Sequence, residues 1–365
     1  MASAQADRGG VAAEGAASQA FEARIRGFAG ELLDFAECEH ARLPVQRVCE
    51  LPDASLHVAF SAAGYAELCD RAYLPRLQAS GGARKVRLAV LDHASLPRMP
   101  RWLGPAPGVG NVRAALAEHG LRGAPDSDYA IWCVYDPARA LGVQAMQAAT
   151  LRPPWEPSFP LRLLLHWASR TAQSGMIHSG TLGHQGNGVF LVGPGGSGKS
   201  GTTLSGILHG LTSVGDDYVA VRCVDGRVEA EPVLRLMKQD IPGLQRLGLV
   251  PGRGALDGPP NWQGKIEFDF ARLVAGARAE RLAVRAILIP RVSRSPSSSF
   301  RSANAREAML ALAPSSLYQL YGSLQEDFGL IASIVRGLPA FHLDLGEDPS
   351  EIAASVRAFI EQQAT

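Results

Sequence analysis

Apolar and polar residues alternate along this chain with two periods, near two and near 3.6, and the switches between them lay out the elements. SLHVAF (55–60), KVRLAVLD (85–92) and YAIWCVYD (129–136) read as buried strands; YAELCDRAYLPRL (65–77) and NVRAALAEHG (111–120) read as helices. The proline-rich stretch PPWEPSFP (153–160) breaks the pattern. After it come a core-facing helix, LRLLLHWASRTA (161–172), a strand ending in glycines, GVFLVG (188–193), and a helix, KSGTTLSGILHG (199–210). TSVGDDYVAVR (212–222) reads as the next strand, interrupted by a polar pair. RAILIP (285–290) and AFHLDL (340–345) are further strands, and AREAMLALA (305–313) and SLQEDFGLIASIVRG (323–337) are helices. The final helix opens on Asp348 as N-cap, with Pro349 in the first turn and Glu351 three residues on, the arrangement of a capping box.

At 365 residues the chain is about twice the size of one compact domain, so two units are expected. Residues 1–17, Ala/Gly-rich and without periodicity, are expected to form a flexible leader. The proline-rich break then divides an α/β segment, 18–155, from a second one, 156–365.

Composition adds limits. Hydrophobic residues make up 46 % and charged residues 19 %, enough for a buried core. The 36 basic and 35 acidic side chains leave a net charge of +1, without the broad positive field of a nucleic-acid or anionic-membrane binder. Only Lys85, Lys199, Lys238 and Lys265 are lysines, which raises interest in each. Five cysteines form no C-x-x-C pair and no zinc spacing, and the N-terminal residues hold no continuous apolar stretch. A cytoplasmic protein is expected.

The strongest motif is Gly193-Pro194-Gly195-Gly196-Ser197-Gly198-Lys199-Ser200, which satisfies G-x-x-x-x-G-K-[ST] between a strand and a helix, with Gly201 following. Glycines let successive N–H groups turn inward around an anion, and the helix N-terminus adds partial positive charge. Lys199 then reaches the β/γ-phosphates and the Ser200 hydroxyl can ligate Mg²⁺. Asp216 and Asp217 follow the helix and are expected on the strand beside the loop strand, dividing metal binding and proton acceptance; a surface β-turn is the bland alternative. His178, ahead of the loop strand, could orient a carboxylate.

The stretch from His178 to Val221 resembles the catalytic core of the HPr kinase/phosphorylases and their HPr-kinase-like relatives. His178 precedes Lys199 by 21 residues, and Asp216 follows Lys199 by 17 with Gly210 between them. The resemblance implies an α/β fold, an HPr-kinase-like P-loop core of mixed sheet and helices related to phosphoenolpyruvate carboxykinases, with ATP and Mg²⁺ as cofactors. It also implies catalytic roles for Asp216, Asp217, His178 and Lys199, with Asp216 as base and metal contacts from Ser200 and Asp217. After the aspartates the chain reads AEPVLRLMKQDIPGLQRLG in place of the family's glycine-rich signature. The N-terminal half is also unlike the family's, which points to a divergent relative with another acceptor.

An ATP-dependent kinase acting on a serine hydroxyl of a peptide or protein, or on a small hydroxylated metabolite, is therefore expected, with residues 18–155 recognising the acceptor. A nucleotide-sensing module without transfer and a plain P-loop ATPase are the competing readings; no N-K-x-D motif supports a GTPase. Lys265, in GKIEFDF, could contact phosphate from a strand start, and Arg291 or Arg294 could stabilise charge in transfer; a solvent-facing role is the alternative for each. The Ser-rich stretch 293–302 reads as a mobile lid or a surface loop. Oligomeric state stays open.

Overall fold

Ile25, Phe28, Ala29, Leu32, Leu33 and Ala36 recur three and four residues apart and give the first helix, α1 (Ser3–Glu39), one buried stripe. The computed structural model describes residues 3–73, 84–96, 98–100, 109–320, 322 and 324–364; of residues 3–18, 109–111, 294 and 324 it describes only the backbone. Two units emerge: Met1–Val48, Leu56–Ala66 and Lys85–Pro153 form one, and Cys49–Ser55, Glu67–Arg84 and Pro154–Thr365 the other.

Along the N-terminal part run β1 (Val45–Leu51), β2 (Ala54–Phe60), α2 (Ala63–Ala72), β3 (Arg84–Asp92), α3 (Val109–Ala117), β4 (Arg122–Asp126), β5 (Ile131–Asp136) and β6 (Leu141–Met146). The six strands make one sheet in the order β1-β2-β3-β6-β5-β4. β3 and β6 are parallel, whereas β4, β5 and β6 are joined antiparallel. Trp132, Val134, Val143 and Ala145 meet α1 and Val112 and Leu116 of α3 in one core.

The second unit continues with α4 (Arg162–Ser169), β7 (Ser174–His178), β8 (Gly180–His184), β9 (Asn187–Leu191), α5 (Lys199–Leu208), β10 (Tyr218–Val224), β11 (Arg227–Pro232), β12 (Leu236–Asp240), α6 (Ile241–Arg246), β13 (Lys265–Asp269) and α7 (Phe270–Leu273). It ends with β14 (Leu282–Ser295), β15 (Ser299–Ala303), α8 (Ala305–Gln319), α9 (Leu324–Gly337), β16 (Ala340–Gly346) and α10 (Pro349–Gln363). Its main sheet runs β15-β16-β14-β11-β10-β7, with β9 added to β14 and β8 to β9. The long strand β14 is parallel to both β9 and β16 and antiparallel to β11. Alternate residues face opposite layers, as the pleat requires. Phe190 and Ile287 pack with α8 and α9, while Val189, Leu191, Ala286 and Leu288 pack with Val356, Phe359 and Ile360 of α10. Both parts are mixed α/β, the class expected, and among the described residues no helix is long and apolar enough to cross a membrane.

Several local expectations change. The Ala/Gly-rich start is helical from Ser3, in line with the high helix propensity of alanine. Residues 74–77, the end of one expected helix, lie outside the described residues. The Ser-rich stretch expected as a lid or loop becomes the end of β14, a short turn and β15, which pairs antiparallel with β16. At α10 only half of the capping box forms: the Asp348 side chain accepts the Ser350 N–H, but Glu351 turns to Ser298 and Ser355. The complete box is at α8, between Asn304 and Glu307.

Candidate active site

β9 delivers the chain into the glycine loop, and α5 begins at Lys199 directly after it. Gly193, Gly196 and Gly198 have φ values of 146°, 81° and 104°, backbone that side chains rarely tolerate. At Gly198, the N-cap of α5, a Cβ would also come within 2.6 Å of Leu345 Cδ1. Only glycine lets the loop turn there and still aim the first N–H groups of α5 outward. Lys199 is 8 % exposed, and its ammonium donates to the carbonyls of Gly193 at 2.7 Å and Pro194 at 3.1 Å. Burial lowers its proton affinity, opposed by the charges of Asp216 and Asp217. At the far end, Gly210 (φ 86°) closes α5, with the Leu211 N–H donating to the Gly206 carbonyl at 2.9 Å.

The aspartate pair is not on the strand beside β9. β10 starts one residue later, at Tyr218, and pairs with β7 and β11; residues 212–217 instead run along β8, one strand removed from the loop strand. Side chains replace a regular ladder here. Thr181 Oγ1 bonds to Ser213 Oγ (2.9 Å) and the Gly215 carbonyl (2.9 Å) and accepts the Val214 N–H (3.1 Å), which explains the irregular backbone and fixes the aspartates. Gly180 leaves room beside them: a Cβ on it would lie 2.8 Å from Thr203 Oγ1 and 3.5 Å from Asp216 Oδ1.

Adjacent in sequence, the two carboxyls sit in opposite environments. Asp217 Oδ1 is 2.9 Å from His178 Nε2, and Oδ2 is 2.6 Å from the Lys238 ammonium. Burial would raise its pKa, but the Lys238 charge and the His178 hydrogen bond outweigh it and hold Asp217 well below the usual carboxylate range. Asp216 is 5 % exposed, and its Oδ1 has no hydrogen-bond partner. Burial and the Asp217 charge push it up to about 7, with the Ser200 and Thr203 hydroxyls only partly offsetting them.

These groups share one cavity of about 560 Å³. Of the residues expected to act, His178, Gly195, Gly196, Gly198, Lys199, Ser200, Gly201, Asp216 and Asp217 line it. Gly193 and Pro194 contribute through their carbonyls, and Ser197 Oγ is buried without a partner. Lys265, at the start of β13, also lines the cavity; Arg291 does not, because its guanidinium is spent on Asp344 at 2.8 Å. The side chain of Arg294 lies outside the described residues.

Sequence reasoning missed Lys238 as a site residue, and with it Thr181 and Ser213 as supports. The scarcity of lysine was the one signal available: three of the four lysines line this cavity. Trp155, Phe159, Tyr218 and Trp262 supply apolar wall.

For Mg²⁺, which takes hard oxygen ligands, the Ser200 hydroxyl beside Asp216 is a fitting donor. Asp217 is less so, since both its oxygens already face cationic or donor groups. Among the described residues no cluster of three or more His, Cys, Asp or Glu side chains could hold a metal ion by itself. The arrangement combines an anion-binding loop, a lysine, a hydroxyl and a carboxyl that titrates near neutrality.

No family model matches the chain, and no curated protein does. The architecture is that of a mixed α/β protein with a P-loop between β9 and α5. Among solved structures, the HPr(Ser) kinase/phosphatase from Coxiella burnetii is a distant structural neighbour, with a TM-score of 0.29 and 14 % identity over 52 % of this chain and 99 % of that one.

Proposed function

We propose that this protein is an ATP-dependent kinase that transfers the γ-phosphate to a hydroxyl acceptor. The observation that carries the reading is Asp216: a buried carboxyl with an unpartnered oxygen, its proton affinity raised by that burial, in one cavity with the loop lysine and the Ser200 hydroxyl. A carboxyl whose sole task were structural would gain nothing from an unpartnered, desolvated oxygen.

In the proposed step the acceptor oxygen attacks the γ-phosphorus in line. Its proton passes to Asp216, and the bond from phosphorus to the β,γ-bridging oxygen breaks, so the electron pair leaves with ADP. Lys199 and the loop N–H groups hold the phosphate charge. Asp217, fixed by His178 and Lys238, keeps a negative charge beside Asp216 and so maintains its proton affinity. Mg²⁺, when bound, would be held by Ser200 together with phosphate oxygens and would screen the phosphate charge. Recognition of the acceptor is assigned to residues 18–155, which hold a core of their own and no phosphate motif.

Incubation with γ-labelled ATP and a cell extract tests the reading. Label moving to a peptide or metabolite, and failing to move with Lys199→Ala, is the expected result. Label released only to water would leave an ATPase, and full transfer by Lys199→Ala would remove the loop from the mechanism.

A further inference from the structure

The cavity lining carries a net positive charge, and not all of it is committed to partners in the fold. It holds five basic side chains, Arg162, Lys199, Lys238, Arg246 and Lys265, against three acidic ones, Asp216, Asp217 and Asp240. Two of the five are already committed, Lys199 to the loop carbonyls and Lys238 to Asp217. Among the described residues, Arg162, Arg246 and Lys265 have no carboxylate within 4.0 Å. Lys265 stands opposite Asp240 in the β12–β13 register, yet Asp240 turns away to cap the Gly243 N–H of α6 at 3.0 Å.

The position of these charges matters as much as their number. In the two-stranded β12–β13 sheet, Met237, Ile266 and Phe268 are buried against α5, which leaves Lys238 and Lys265 on the opposite, cavity-lining face. Arg162, in the first turn of α4, lies against the Tyr218 hydroxyl. Tyr218 follows Asp217 in the chain, and its ring is 5.2 Å from that of His178. Arg162 therefore belongs to the aspartate side of the cavity, where a hydroxyl must arrive to reach Asp216.

Resting on the kinase reading above, we propose that the acceptor carries an anionic group, a carboxylate or phosphate, which Arg162 and Lys265 hold while the hydroxyl faces Asp216. A neutral alcohol would leave both cations unpaired in a part-buried site, whereas an anion pairs with them through charge-assisted hydrogen bonds. The same chemistry could come from a small hydroxy acid or from an acidic residue beside a serine.

The test is calorimetry on the full chain saturated with Mg²⁺ and a non-hydrolysable ATP analogue. The probes are glycerate against glycerol, and a serine peptide flanked by aspartate against the same peptide flanked by asparagine. The expected result is that glycerate or the aspartate peptide binds while its neutral counterpart does not, the arm that binds identifying the source. Arg162→Gln and Lys265→Gln should each weaken that binding about tenfold or more and leave analogue affinity within about twofold. The inference is overturned if no anionic probe binds, if a neutral counterpart binds equally well, or if the two variants weaken the analogue by the same factor. Failure of the analogue itself to bind, visible in the first titration, overturns the kinase reading and this inference with it.

Discussion

Asp216 and Asp217 are neighbours in the chain and opposites in proton affinity, because one is desolvated beside hydroxyls alone and the other holds a lysine and a histidine. If Asp216 is the base, kcat/KM rises as pH rises through about 7, where its proton leaves. Asp216→Asn should abolish that limb, lower transfer by ~10² or more, and leave nucleotide affinity within about tenfold. Stability moves the other way. A folded pKa raised above the unfolded one contributes stability that is present in full below pH 3.8 and lost as pH rises through about 7. At pH 8 the Asn variant should therefore melt at least ~3 °C above the parent, with the gap shrinking towards pH 5; equal melting at pH 8 would mean that no desolvated charge is there. Lys238→Met leaves Asp217 without its main counter-charge and should cost roughly 1–3 kcal/mol in chemical denaturation at pH 7, less than a fully buried pair because both side chains keep some exposure. The loop and the aspartates were legible because their chemistry is local in sequence. Lys238 lies 21 residues from its partner Asp217, so its rarity could mark it while its role could not be read.

Among elements, the sequence showed best those that carry their own signals. α5 was bounded correctly by the glycine loop and by Gly210, whose positive φ ends the helix. β7, β8 and β12 were not read, because each is five residues long and takes its identity from pairing, whereas β13 was read from GKIEFDF. The same limit misplaced the aspartates: apolar run and polar pair looked like one strand, whereas hydroxyls of Thr181 and Ser213 hold the pair outside the ladder. The glycine loop offers the sharpest test at this scale. Gly198→Ala puts a methyl group into Leu345 at a φ of 104°, so the loop must distort where it meets α5. Nucleotide affinity should fall about tenfold or more while far-ultraviolet circular dichroism stays that of the parent; unchanged affinity would show that the loop geometry is not what binds phosphate.

For the whole molecule, the proline-rich break suggests a cut near residue 156, but the second unit also includes residues 49–55 and 67–84. The second segment is joined to it by specific bonds. The Arg235 N–H donates to the Ala72 carbonyl at 2.7 Å, the Tyr73 hydroxyl donates to the Pro160 carbonyl, and Arg84 donates to the carbonyl of Ala168. Tyr73 is also the start of an aromatic series that reaches the cavity: its ring centroid is 6.1 Å from that of Phe159, which is 4.6 Å from that of Tyr218. Such a return of the chain has no local signature, since YAELCDRAYLPRL carries an ordinary helical period. A fragment of residues 156–365 should therefore aggregate or melt at least ~10 °C below the full chain, because it exposes the apolar surface that Tyr73 covers and leaves the Pro160 and Ala168 carbonyls without donors. Tyr73→Ala in the full chain isolates the cause, and should lower stability by roughly 3 kcal/mol and weaken nucleotide binding through displacement of Phe159 and Tyr218. If the fragment instead melts with the full chain and binds nucleotide equally well, residues 67–84 are dispensable to the second unit and the chain divides at the proline-rich break alone.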